Sequence, residues 1–184
     1  MPTETWIYVL TLLVLTGQLW VFDKQLRLMQ ADRDWRRDEA VARFYQLGLR
    51  LASNFARTDS AGGDINVGHP LDLTFDPELV AELANAATRF APLGRTAVRH
   101  LVTASFSLTV YLGELQHLST EGKGDEPNVI ATLQVHRRVI GERLDRAVAE
   151  IPPALQWRRR DEQPFDFKEL CSDGGTARAV LPAS

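Results

Sequence analysis

Apolar side chains crowd one end of this chain. From Thr5 to Phe22 runs a stretch of 18 residues without a charged side chain, and charge resumes at once with Asp23 and Lys24. As a helix such a stretch is roughly 27 Å long, close to the ~30 Å hydrocarbon thickness of a bilayer. Trp6 and Tyr8 stand near one end, Trp20 and Phe22 near the other. Amphipathic rings settle at the headgroup level in this way. A cleavable leader calls for basic residues before the apolar run and a small-residue cleavage site after it, and neither is present. A helix lying in the interface needs a polar face, whereas this one has only Thr11, Thr16 and Gln18. The pattern therefore predicts a membrane anchor over residues 1–22.

The flanks predict its orientation. Glu4 is the only charge before the run, while Lys24, Arg27, Arg33, Arg36 and Arg37 follow it. Basic residues stay on the cytoplasmic side, so the expected topology is a single pass in the cell (inner) membrane, amino terminus outside and carboxyl-terminal domain cytoplasmic. Trp6, Tyr8, Trp20, Lys24 and Arg27 are the expected membrane-interface residues.

Beyond the anchor the period changes. Residues 23–57 contain no Pro and only Gly48, which predicts a juxtamembrane helix continuing the anchor. Phe44, Leu47, Leu51 and Phe55 form an apolar stripe at helical spacing. Between anchor and stripe, Gln30–Glu39 is polar apart from Ala31 and Trp35, with Asp32–Arg36 and Asp34–Arg37 at pairing distance along a helix. Residues 58–75, with Gly62, Gly63, Gly68 and Pro70 among several Asp, read as a loop. Its Gly62–Gly68 portion lacks the Lys-Ser/Thr pair of a phosphate loop.

Residues 76–151 predict the rest of a bundle completed by the juxtamembrane helix. Asp76-Pro77-Glu78 is a helix start, with Asp as cap and Pro in the first turn. Val80, Leu83, Ala84, Ala87 and Phe90 are the expected inward face, ending at Pro92. Val98, Leu101, Ser105, Leu108, Leu112 and Leu115 make a heptad seam of coiled-coil type. Ala104–Leu112 also alternates with period two, as a half-buried strand does, but the seam runs further and predicts helix. Glu121–Pro127 is an expected turn. A last long helix follows, with Ile130, Leu133, Ile140, Leu144 and Ala147 inward, closed by Pro152-Pro153. Residues 152–184 read as a partly ordered tail. Its Phe165 and Phe167 either fold back on the bundle or form a docking peptide. The expected fold class is all-α: a single transmembrane helix, its juxtamembrane extension, a small up-and-down bundle and the tail.

Composition narrows the chemistry. At 184 residues, 45% hydrophobic, the chain suits one modest domain and is too apolar to be disordered throughout. Lys+Arg 21 against Asp+Glu 24 gives a net charge of -3, which argues against nucleic acid as a partner. Cys171 is the only cysteine, so no disulfide forms within the chain, in keeping with a reducing compartment.

No catalytic constellation emerges, and no cofactor is expected. Glu114-x-x-His117 matches one unit of a di-iron carboxylate site, which needs a second unit and two further Glu. A membrane-bound metal-dependent enzyme is therefore the alternative reading. His136, on the apolar stripe, reads as a hydrogen-bonded core residue. Cys171 has no neighbouring His to activate it. Two places suggest contact with a protein: Gly17 and Gln18, a small residue and an amide within the anchor, and the basic aromatic cluster Trp157, Arg158, Arg159 and Arg160. The expected partners are the lipid bilayer and a membrane protein or a second copy. The expected function is that of an accessory or scaffold subunit, or a homo-oligomer, without catalytic activity.

Overall fold

The computed structural model describes the backbone of residues 3–62, 75–121, 127–158 and 163–172, and the side chains of 12–58, 75–116, 131–158 and 163–171. Among these residues the chain is helical, with one isolated antiparallel bridge between Arg158 and Pro164. It divides into two compact units, 1–38 and 39–184. The all-α class is as expected, and so is helix over 104–112. The longer heptad period outweighed the short alternation because both Leu101 and Leu115 had a core to enter.

Helix α1 spans Thr3–Gly62, past the expected end at 57. Its part in the second unit buries Ala40, Val41, Phe44, Tyr45, Leu47, Leu51, Ala52 and Phe55. The four residues of the anticipated stripe are all there, joined by the flanking positions that complete a wide apolar face.

Helix α2, Pro77–Ala84, begins as expected: the Asp76 carboxylate accepts the backbone N–H groups of Glu78 at 3.0 Å and Leu79 at 3.4 Å. The single helix expected up to Phe90 is broken, however, and restarts as α3, Ala86–Arg89. At the break the Asn85 side-chain amide and its own backbone N–H both donate to the Ala81 carbonyl, at 2.8 and 3.1 Å, the local side-chain bonding by which Asn favours helix ends. The buried face is Leu79, Leu83, Ala86 and Phe90, while Ala84 and Ala87 are exposed. The inward face is thus turned by one residue, because the larger side chains at 79 and 83 take the core.

Arg50 ties this segment to α1. Its guanidinium forms an ion pair and hydrogen bond with Asp76 and lies 3.4 Å from Glu82. The hydrogen bond from Arg50 holds the Asp76 carboxyl below its usual pKa. A depressed carboxyl adds stability above its ordinary titration range and loses it as pH falls through the lowered value. Arg50→Met is therefore expected to cost about 1 kcal/mol near neutral pH, since the pair is part-exposed and screened. It should also flatten the acid limb of Tm against pH below about 4. An acid limb unchanged from the parent would place the pH dependence elsewhere.

Helix α4, Arg95–Glu121, and helix α5, Pro127–Ala149, pack antiparallel, with Tyr111 opposite Arg137. Gly94, at φ 100, turns the chain into α4 where L residues are strained. Ala97, Leu101, Ala104, Leu108, Tyr111 and Leu115 line the core. Val98, Ser105 and Leu112 of the expected seam sit half-buried at its edge. On α5, Ile140, Leu144 and Ala147 are buried as expected and Leu133 is half-buried; the Ile130 side chain lies outside the described residues.

Residues 153–155 form one 3-10 turn, and Phe167–Ser172 forms α6 against α5. For Phe165 and Phe167 the first of the two alternatives holds: both fold back and are buried, with Leu170 and Cys171 beside them. The remaining tail, 173–184, lies outside the described residues, as do most of the 58–75 loop and the interior of the Glu121–Pro127 turn.

Candidate functional site

In the first unit the described part of the apolar run, Leu12–Phe22, is exposed. Leu12, Leu13, Val14, Leu15, Leu19, Trp20, Val21 and Phe22 are exposed by between 48% and 70%. They occupy every side of the helix, whereas a helix on a globular surface shows one apolar stripe. One polar group inside the run is satisfied locally: the Thr16 hydroxyl donates to the Leu12 carbonyl at 2.7 Å. Gly17 has no heavy atom within 4 Å of where a Cβ would stand, and Gln18 is exposed, so both are open to contact. At the charged end, the Lys24 ammonium sits 5.3 Å from the Trp20 ring centroid, which shields an aromatic face with a cation. Arg27 pairs with Asp23 at 2.9 Å.

Among the described residues no helix is long and apolar enough to cross a membrane. The side chains of residues 1–11 lie outside that description, and Thr5–Thr11 of the uncharged run falls among them, with Trp6 and Tyr8. Further along, Asp32–Arg36 pairs at 2.9 Å as expected, while Asp34–Arg37 forms no ion pair among the described residues. Trp35 is exposed by 65%.

In the second unit, the expected contact cluster divides. Trp157 stacks face to face on Tyr45, centroids 5.2 Å apart and planes 1° apart. Much of its surface is thus engaged within the fold. Arg158 is exposed, and Arg159 and Arg160 lie outside the described residues. Tyr45, Phe44, Phe165 and Phe167 continue the aromatic cluster, with Phe44 and Phe167 edge to face at 5.8 Å. Burial raises the Tyr45 hydroxyl pKa against a smaller opposite effect of the Trp157 backbone, and the oxygen has no partner in hydrogen-bonding geometry among the described residues. An orphaned buried hydroxyl costs about 1–3 kcal/mol. Tyr45→Phe is therefore expected to leave stability unchanged or raise it by about 1 kcal/mol. A loss of that size in a urea titration would reveal a bond to this hydroxyl.

Two glycines seat α6. A Cβ at Gly48 would lie 2.3 Å from the Phe167 ring, and one at Gly141 would lie 2.6 Å from the Lys168 Cα. Asp145 then caps α6 from the neighbouring helix, accepting the N–H groups of Phe167 at 2.7 Å and Lys168 at 3.0 Å. Burial raises the Asp145 pKa, with a further push from Asp166, against the lowering by those two N–H groups. Cys171 is fully buried; burial, then the Asp145 charge, pushes its thiol pKa up to about 12. It is therefore a thiol at neutral pH and chemically quiet.

Sequence reasoning missed the buried Arg137. Its guanidinium donates to the Phe55 carbonyl at 2.9 Å and to the Tyr111 hydroxyl at 3.3 Å, and lies 5.0 Å from the Phe55 ring centroid. No pattern marked it, because it follows the half-buried His136 and looks like half of an exposed Arg137-Arg138 pair. Among the described residues no group of three or more His, Cys, Asp or Glu is placed to hold a metal. Glu114 is half-buried, and the His117 side chain lies outside the described residues. Comparison with protein-family models, curated proteins and solved structures returns no match to this chain.

Proposed function

We propose that residues 1–22 anchor this protein in a bilayer as a single pass and that its helical bundle works from the cytoplasmic side by contact rather than catalysis. The observation that carries this reading is the described part of the apolar run, Leu12–Phe22, exposed on all sides of its helix. Water is a poor solvent for such a surface; at about 25 cal/mol per Å2 its exposure is expensive. A bilayer covers every side at once. The Trp20 and Lys24 pairing and the satisfied Thr16 hydroxyl suit an interface and a hydrocarbon interior respectively.

The bundle then serves as an accessory or scaffold subunit of a membrane complex, or joins a second copy of itself. Gly17 and Gln18 offer contact within the membrane. The test is alkaline carbonate extraction of membranes carrying the full chain, followed by protease treatment from each side. Retention in the pellet, with the bundle cleaved only from the cytoplasmic side, is the expected result. Release into the carbonate supernatant removes the anchor, and cleavage of the bundle from outside reverses the topology.

A further inference from the structure

The solvent face of α4 differs from those of its neighbours. Arg99, Val102, Phe106, Thr109 and Gly113 are exposed and recur at alternating spacings of three and four, the period of a coiled-coil seam. They lie on the side of α4 turned away from the Tyr111–Arg137 contact with α5. Among the described residues of the second unit Phe106 is the most exposed large apolar side chain, at 72%. From Val102 to Gly113 no residue carries an acidic or basic side chain. The outer sides of α1 and α5 instead carry ion pairs, Glu39–Arg43 and Arg138–Glu142.

This face asks little of water. The Thr109 hydroxyl donates to the Ser105 carbonyl at 3.1 Å, and the half-buried Thr103 hydroxyl to the Arg99 carbonyl at 2.9 Å. Hydroxyls already satisfied within their own helix lose no bond when the face is covered. Gly113 is a notch in the helix surface, with no heavy atom within 4 Å of where its Cβ would stand.

The face also complements its own reverse. Let a second copy of α4 lie antiparallel on it, the two-fold axis level with the midpoint between Phe106 and Thr109. Phe106 of each copy then meets Thr109 of the other, and Val102 meets Gly113, a larger side chain against a smaller one each time. Arg99, before the uncharged stretch, comes within reach of Glu114, just after it, and the symmetry forms that pair twice. A parallel copy would set Arg99 against Arg99 and Glu114 against Glu114.

We propose that this face of α4 is a homodimer interface, an antiparallel helix pair formed with a second copy of this chain. A two-fold contact uses one patch on both copies, so the patch must complement itself, as the sizes and charges along this stripe do. The proposal rests on the contact reading above and names its partner. It does not depend on the anchor, because the whole face belongs to the second unit.

The test is disulfide trapping in membranes carrying the full chain. Cys171 is fully buried and chemically quiet, so an introduced cysteine reacts alone. Val102→Cys and Gly113→Cys chains, told apart by tags, are produced singly and together and mildly oxidised. In the antiparallel pair the two copies of Val102 are separated by the rise from 102 to 113, roughly 16 Å. A disulfide needs Cα atoms within about 7 Å. The mixed disulfide is therefore expected, and neither self-disulfide. Phe106→Ser should abolish the trapping. Arg99→Glu should lower it about fivefold, since two pairs turn repulsive, and adding Glu114→Arg should restore it. Arg99 and Phe106 are solvent-facing, so an unchanged Tm verifies the fold of those variants. Self-disulfides at Val102, equal yields of all three products, no product, or trapping indifferent to Phe106→Ser overturns the proposal. So does a different protein that leaves the purified chain in Phe106→Ser while no disulfide forms, a result that keeps the contact reading. Failure of the anchor shows separately, as a chain in the carbonate supernatant, where the same trapping is then read.

Discussion

Replacing Gly141 by leucine is expected to lift α6 off the bundle. Even the first atom of the new side chain would stand 2.6 Å from the Lys168 Cα and 2.7 Å from the Phe167 carbonyl oxygen. Both are backbone, so no rotamer change relieves the clash, and the helix must move as a unit. When it moves, the Asp145 carboxylate loses the two N–H groups it caps, and Phe167 leaves its contacts with Phe44 and Tyr45. Forced overpacking costs about 1–3 kcal/mol, and the uncapped carboxylate brings the total towards about 3 kcal/mol. The clearest readout is Cys171. Its thiol is buried and held neutral in the parent, so it should resist an exposed-thiol reagent there and react within minutes in Gly141→Leu. A thiol equally slow in both chains would mean that α6 accommodates the leucine. Gly48→Ala should act in the same direction but more mildly, because the obstacle there is the Phe167 ring rather than backbone.

Arg137→Ala is expected to destabilise the bundle more than any exposed substitution. The hydrogen bonds at 2.9 Å to the Phe55 carbonyl and 3.3 Å to the Tyr111 hydroxyl end with it. The guanidinium also lies over the Phe55 and Tyr111 rings at 5.0 and 5.7 Å. A hydrogen bond from a charged donor contributes about 1.5–3 kcal/mol, a desolvated cation–π contact up to about 2 kcal/mol, and truncation leaves a cavity. A loss of about 4 kcal/mol is expected, or a fall in Tm on the order of 10 °C. Arg137→Met separates the causes, because methionine keeps the unbranched apolar stem and removes only the charge and donors. If Met and Ala fall equally, the polar contacts dominate; if Met restores most of the loss, the stem packing does. A fall of less than about 1 kcal/mol in Ala would show that Arg137 contributes little beyond filling space.

Much of the fold is legible in the sequence itself. Phe44, Leu47, Leu51 and Phe55 announce their face, and Asp76-Pro77 its helix start, because each signal lies within a few turns of one helix. The break at Asn85 is not legible: its side-chain amide shares the Ala81 carbonyl with its own backbone N–H, a local bond that no hydrophobic periodicity marks. The candidate surfaces divide the same way. The uncharged run and its Trp20 and Lys24 border are visible in one dimension, whereas the aromatic cluster joins Tyr45 to Trp157, Phe165 and Phe167 across the chain.

Local chemistry thus determined the all-helical class, the cap at Asp76, the apolar stripe of α1 and the uncharged run at its start. Each depends on residues three or four apart, where helical period alone decides what meets. Tertiary structure decided the rest: that Trp157, Phe165 and Phe167 close on Tyr45, that Gly48 and Gly141 are the floor beneath α6, and that Arg137 is buried. Those outcomes depend on contacts between residues far apart in sequence, such as Phe55 with Arg137, or Asp145 with Phe167. No periodicity encodes such pairs, because burial, clash and unmet hydrogen bonds exist only once two surfaces have come together.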